Sequence, residues 1–143
     1  MQKELKNLAE SLEGSLYYDS TPLHQAQLLA FSTDASVYQE KPVAVAFPRT
    51  IEDIKQLVQF AGKQRLTLIP RAAGTSLAGQ VVGNGIVVDI SKHFDQIIEI
   101  NPGEKWVRVQ PGVIRDDLNY YLREYNLMFG PETSTANRAM IGG

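Results

Sequence analysis

The feature that most restricts the fold is a pair of short apolar runs with a helical segment between them. Val43 to Phe47 is wholly apolar and stops at Pro48; Leu66 to Ile69 is the second run and stops at Pro70. Runs this short, without clear alternation, suit strands buried on both faces. Between them Thr50 is an N-cap residue, Ile51, Ile54, Leu57, Val58 and Ala61 form an apolar stripe, and Gly62 is placed to end the helix. A helical crossover joins parallel strands, because antiparallel neighbours need only a hairpin. The sequence therefore predicts a strand–helix–strand unit.

On the N-terminal side, Leu5, Leu8, Ala9 and Leu12 recur at helical spacing and Gly14 follows. Thr21-Pro22 opens a second short helix through HQAQLLAF. Residues 1–41 are thus expected to form a helical arm. On the other side, Ile86 to Ile90 is a third strand. Gln96 to Ile100 and Lys105 to Gln110 flank Asn101-Pro102-Gly103-Glu104, whose Pro-Gly centre predicts a type II turn and an antiparallel pair. Trp106 to Gln110 does not alternate cleanly, so its facing stays open. After Pro111-Gly112 a helix is expected with the stripe Ile114, Leu118, Tyr121, Leu122 and Tyr125, stopped by Asn126 in a left-handed conformation. The tail GPETSTANRAMIGG is small, polar and irregular.

Composition narrows the function classes. The 143 residues hold 14 Lys+Arg against 16 Asp+Glu, a net charge of −2, which argues against nucleic-acid binding and against a polybasic membrane patch. With no cysteine there is no disulfide framework, cysteine-held metal or thiol nucleophile. His24 and His93 are far apart in the chain, so no metal site is expected. No run approaches the roughly 20 apolar residues of a bilayer span. The first residues do not read as a secretory signal. A cytoplasmic protein is the default expectation, and peripheral attachment to a membrane is compatible with it.

The segment Pro70-Arg71-Ala72-Ala73-Gly74-Thr75-Ser76-Leu77-Ala78-Gly79-Gln80 stands apart. It leaves a buried strand and is rich in glycine, alanine and hydroxyl residues. Small residues let backbone amides approach a ligand, and successive amides in a tight turn form an anion-binding concavity. Gly74 and Gly79 have the glycine spacing of an NTPase phosphate loop, yet Gln80 and Val81 stand where that loop needs lysine and Ser/Thr. Gly83-Asn84-Gly85 fails as a dinucleotide fingerprint, since Val88 replaces the third glycine and a strand follows. A turn without a ligand is the plain alternative. In the tail, Pro131-Glu132-Thr133-Ser134-Thr135-Ala136-Asn137 and Ile141-Gly142-Gly143 make a second small-residue stretch. Two such loops suit an extended ligand clasped from both sides; fraying of a chain end is the alternative.

Taken in order, FSTDASVY, PVAVAFPRTIEDI, PRAAGTSLAGQ, VQPGV and GPETSTANRAMIGG resemble the FAD-linked oxidase family of vanillyl-alcohol-oxidase/PCMH type, in its glycolate-oxidase D-subunit and D-lactate dehydrogenase branch. The resemblance implies an α+β fold: a PCMH-type FAD-binding domain over residues 42–143, with an N-terminal α/β lobe and the start of a second lobe of antiparallel strands, truncated on its C-terminal side. It implies that Pro70, Arg71, Ala72, Ala73, Gly74, Thr75, Ser76, Leu77, Gly79 and Gln80 hold the FAD diphosphate. Val113 matches a position near the adenine end. Pro131, Glu132, Thr133, Ser134, Asn137, Ile141, Gly142 and Gly143 match the stretch along the flavin side. The implied reaction oxidises a 2-hydroxy acid, such as D-lactate or glycolate, to the 2-oxo acid and passes electrons to an acceptor. No catalytic residue falls within the chain, which by itself is expected to be inactive.

Thr75 stands where some relatives tether flavin through histidine, so noncovalent FAD is expected. Ala72-Ala73 replace a common glycine pair, which requires ordinary φ there. Each candidate has a plainer role beside the functional one. Thr75 and Ser76 suit local caps, Arg71 an internal ion pair, and Glu132 and Ser134 local backbone bonds. His24 and His93 read as surface residues, Asp116 and Asp117 as helix-dipole partners, and Tyr120, Tyr121 and Tyr125 as helix packing. A phosphate- or nucleotide-binding module without redox chemistry is the rival reading. An unfinished sheet edge would favour self-association of the chain.

Overall fold

The computed structural model describes residues 1–142; Gly143 lies outside the described residues. The first lobe is a four-stranded sheet in the order β1 (Ser15–Tyr17), β2 (Ala44–Phe47), β4 (Ile86–Asp89), β3 (Leu68–Arg71). β2 and β3 both run parallel to β4, and β1 is antiparallel to β2. The expected parallel unit is present, with β4 inserted between the strands that the crossover helix joins.

Alternating residues of the central strands enter different cores, which is why these strands are apolar throughout. Ala44, Ala46, Ile86 and Val88 pack with Leu5, Leu8 and Leu57, placing α1 (Gln2–Ser11) and α3 (Ile51–Gln64) on one face. Val45 and Val87 pack with Leu28 of α2 (Pro22–Ala30), Ile69 and Val81 on the other. Removing one such side chain, for instance Leu57, costs about 3 kcal/mol.

The first forty residues depart from the expected helical arm. Ser15–Tyr17 pairs with Phe47–Val45, and Leu5, Leu8, Leu12 and Leu16 share the central core. A three-residue strand carries too little periodicity to be read locally.

In α3 the exposed and buried faces also differ from the apolar stripe. Ile51 and Val58 are exposed, whereas Asp53 is buried along with Leu57 and Ala61. Thr50 and Asp53 form a reciprocal capping box. Gly62 lies inside the helix, which ends at Arg65 with φ 56°. Pro70 does not stop β3; the strand runs through it because β3 is the outer strand.

The second lobe is the antiparallel pair β5 (Ile97–Asn101) and β6 (Trp106–Val109), with α4 (Arg115–Leu122) packed on it. The positive φ in the connection falls at Lys105 (φ 59°) and not at Gly103, so the turn is not the expected type II. β6 alternates after all: Val107 and Val109 face the core of Val113, Leu118 and Leu122, while Trp106 and Arg108 face outward. Asn126 takes the expected left-handed stop at φ 54°. Tyr121 joins this core, whereas Tyr120 is exposed. Gly112 donates to the Phe94 carbonyl at 2.7 Å, and a Cβ there would lie 2.6 Å from that oxygen. This close approach seats the second lobe against the exit of β4.

Candidate functional site

β3 delivers the chain into the loop after Arg71. Gly74 (φ 66°) and Gly79 (φ 75°) are the glycines with positive φ among the described residues; Ala72 and Ala73 keep ordinary φ, as the replacement of a glycine pair requires. Ser76 Oγ accepts the amides of Ala78 and Gln80, each at 3.3 Å, so this hydroxyl shapes the loop itself. The amides of Ala73, Gly74, Thr75 and Ser76 donate to no acceptor among the described residues. Consecutive unpaired amides need water or a ligand.

These residues open on a cleft of about 420 Å³ lined by Ala72, Ala73, Gly74, Thr75, Ser76, Gln80, Val81, Met140 and Gly142. The tail reaches it along a backbone track. Ile141 donates to Val113 at 3.0 Å and Gly142 to Pro111 at 2.8 Å, with an antiparallel bridge between Ile114 and Met140. A Cβ on Gly142 would lie 2.4 Å from Pro111 Cβ, so only glycine fits this seat unstrained.

A family model described as an FAD binding domain matches residues 42–143. This chain belongs to the FAD-binding domain family. It is 45% identical over 140 residues to the D-2-hydroxyglutarate dehydrogenase of Escherichia coli (strain K12), covering 96% of this chain but 14% of that enzyme. It is 32% identical to the glycolate oxidase subunit GlcD of Bacillus subtilis (strain 168), covering 99% of this chain and 30% of that subunit. Its fold matches a solved alkyldihydroxyacetonephosphate synthase with a TM-score of 0.81 at 15% identity, over 99% of this chain and 28% of that one. p-Cresol methylhydroxylase matches with a TM-score of 0.76 at 18% identity, over 96% and 28%. The FAD-binding domain is therefore of the PCMH type, and the chain spans less than a third of each of these proteins.

The cleft fits the diphosphate part of FAD. A diphosphate needs converging donors and an unobstructed approach, and the loop supplies consecutive amides with glycine on either side of the hydroxyl pair. No lysine or arginine lines the cleft, so the amides would be the donors there.

Of the expected constellation, Ala72, Ala73, Gly74, Thr75, Ser76, Gln80 and Gly142 line this cleft; the others among the described residues do not. Leu77 is exposed and does not line the cleft, Pro70 lines a neighbouring groove with Gln80, and Gly79 packs beneath Tyr38. Val113 is buried, and its carbonyl anchors Ile141. Pro131, Glu132, Thr133, Ser134 and Asn137 do not line this cleft. They cross the start of α4, where Arg115 donates to the Pro131 carbonyl at 3.1 Å and lies 3.5 Å from Glu132. Asp116 sits in the first turn of α4, beside Arg115.

Arg71 is engaged internally. Its Nη1 donates to the Thr33 carbonyl at 2.6 Å, and its guanidinium lies 5.0 Å from the centre of the Phe31 ring. Burial lowers its pKa below the ordinary arginine value, opposed by the charges of Asp34 and Asp89. Burial raises the Asp34 carboxyl, but hydrogen bonds from Ser36 and Val81 and the charge of Arg71 outweigh this and hold it low.

The segment behind the loop, Phe31 to Gln39, holds it in place through contacts that its sequence does not signal. The Ala35 amide donates to the Gly74 carbonyl at 3.1 Å, and Thr33 bridges to Gln39. No local pattern marks the Ala35–Gly74 contact, which joins residues 39 positions apart. His24 is half-buried, and its Nδ1 accepts the amides of Tyr18 and Asp19, each at 3.2 Å. Among the described residues no helix is long and apolar enough to cross a membrane.

Proposed function

We propose that this FAD-binding domain serves a flavin-dependent dehydrogenase or oxidase that converts a D-2-hydroxy acid to its 2-oxo acid. The relatives named above support the substrate class; the observation that supports the local role is that Ala73 to Ser76, whose amides donate to no acceptor among the described residues, line a cleft with Met140 and Gly142. When bound, FAD supplies a two-electron acceptor for the hydride equivalent that leaves the hydroxyl-bearing carbon. The chain's own part is to seat the cofactor. Amides of the 72–80 loop neutralise the diphosphate, while Ser76 fixes the loop's curvature. The Met140–Gly142 segment forms the facing wall, and Thr133 and Ser134, exposed and outside the cleft, are the hydroxyl residues proposed to meet the flavin side. Noncovalent attachment is part of this proposal, since Thr75 stands where some relatives tether flavin through histidine.

The test is to purify the intact protein and denature it with acid. Yellow protein that yields colourless precipitate and free FAD is the expected result. Under anaerobic conditions the flavin colour should bleach on adding D-2-hydroxyglutarate, D-lactate or glycolate. Protein that binds ADP but takes up no FAD would instead make this a phosphate-binding module without redox chemistry.

A further inference from the structure

We propose that Arg71 is a positioning residue that braces the diphosphate loop from behind, and not a ligand of the phosphates. This deepens the FAD reading above and rests on it. Arg71 closes β3 immediately before the unpaired amides, yet it does not line their cleft. Its guanidinium is spent on the segment behind: a hydrogen bond to Thr33, a stacking contact with Phe31, and the nearby charges of Asp34 and Asp89. Gly74 rests against it, since a Cβ at Gly74 would fall 2.7 Å from Arg71 Nη2. Ala35 holds the Gly74 carbonyl directly. The Phe31–Ala35 segment therefore grips the loop twice, once through Ala35 and once through Arg71.

The hydrogen bond to Thr33 and the contact with Phe31 turn the Arg71 guanidinium away from the cleft, which leaves the diphosphate to the amides. What matters is the planar guanidinium, which can stack on Phe31 and reach Thr33 together. A lysine ammonium is a point charge on a flexible stem and cannot do both. Cofactor affinity should thus depend on an aromatic ring outside the cleft, and its salt dependence should not depend on Arg71.

The experiment uses the intact protein, with FAD and ADP affinities measured by fluorescence titration and displacement, and apo-protein melting recorded for every variant. Phe31→Leu, Phe31→Tyr, Arg71→Lys, Arg71→Ala and the Phe31→Leu/Arg71→Ala double variant are compared. Arg71→Lys and Phe31→Leu should each weaken both ligands by about tenfold, and Phe31→Tyr should bind as wild type. The double variant should be no weaker than Arg71→Ala, and the salt slope of binding should be common to all. A Phe31→Leu protein that binds FAD normally, beside an Arg71→Ala protein with a reduced salt slope, would overturn the proposal and make Arg71 a phosphate ligand. Equal binding by every variant also overturns it while leaving the FAD reading intact. Failure of the wild type to bind FAD overturns both. If Arg71→Ala does not fold, the Phe31→Leu, Phe31→Tyr and Arg71→Lys comparison decides.

Discussion

The carboxylate of Asp53, in the first turn of α3, accepts the amide of Gly14 at 3.1 Å, from a residue 39 positions earlier. The same side chain accepts the amides of Glu13 at 2.9 Å, Arg49 at 2.8 Å and Thr50 at 3.3 Å. One buried carboxylate thus fastens the α1–β1 corner to the start of the crossover helix.

Asp53→Ala is expected to lower stability by about 3 kcal/mol, because it leaves several amides without their charged acceptor. Burial alone would raise the Asp53 pKa, but the amides of Arg49, Glu13, Thr50 and Gly14 outweigh it and hold the group below the ordinary value. Its contribution is therefore present above the unfolded-state pKa of about 3.9 and is lost as pH falls through the lower folded value. Denaturation of wild type and Asp53→Asn across that range should show the gap between them closing on acidification.

Gly14 sits so close to β2 that a Cβ would lie 2.1 Å from the Phe47 carbonyl oxygen. Gly14→Ala should lower stability by about 2–3 kcal/mol, by forcing β1 away from its partner. A thermal melt reads this, and a melt unchanged from wild type would show that the corner yields without strain.

Gly74→Ala and Gly79→Ala each place a side chain at positive φ, which costs about 1–2 kcal/mol. The new methyl would meet Arg71 in the first case and the Tyr38 ring, 2.7 Å away, in the second. Both variants should bind FAD at least about tenfold more weakly, with Gly62→Ala as a tolerated control because nothing lies within 4 Å of its Cβ position.

Ser76→Ala removes the acceptor for the Ala78 and Gln80 amides. A neutral hydrogen bond contributes about 1 kcal/mol, so FAD affinity should fall by roughly fivefold. Ser76→Thr keeps the oxygen and should recover most of it in the same titration.

Much of this domain is written in local pattern. The runs at Val43–Phe47 and Ile86–Ile90 announce strands because both of their faces meet apolar cores. The small-residue loop announces itself because amides can approach an anion only where side chains are short. What escaped lies in partnerships between distant residues. Asp53 looks like an ordinary first-turn carboxylate until Gly14 and Glu13 arrive beneath it, and that burial turns Ile51 and Val58 outward. Pro102-Gly103 promised one turn, yet the left-handed residue is Lys105, because strand register and not dipeptide preference fixes the connection. Around the candidate site, the 70–80 loop and Ile141-Gly142 stand out in the sequence as small-residue stretches, whereas Ala35 and Tyr38 touch the loop only through the fold.

Pro70 lies on the outer strand, between Thr67 and Arg71, whose carbonyls both point inward and accept the amides of Ile86 and Ile90 at 2.9 Å. The nitrogen of Pro70 is therefore out of phase with the ladder and faces away from β4. Having no hydrogen to offer, it interrupts the row of donors that an invading strand would need. The flank of the sheet beside the 72–80 loop is thus a poor template for fibril growth, a safeguard that a single Pro70→Val exchange would remove.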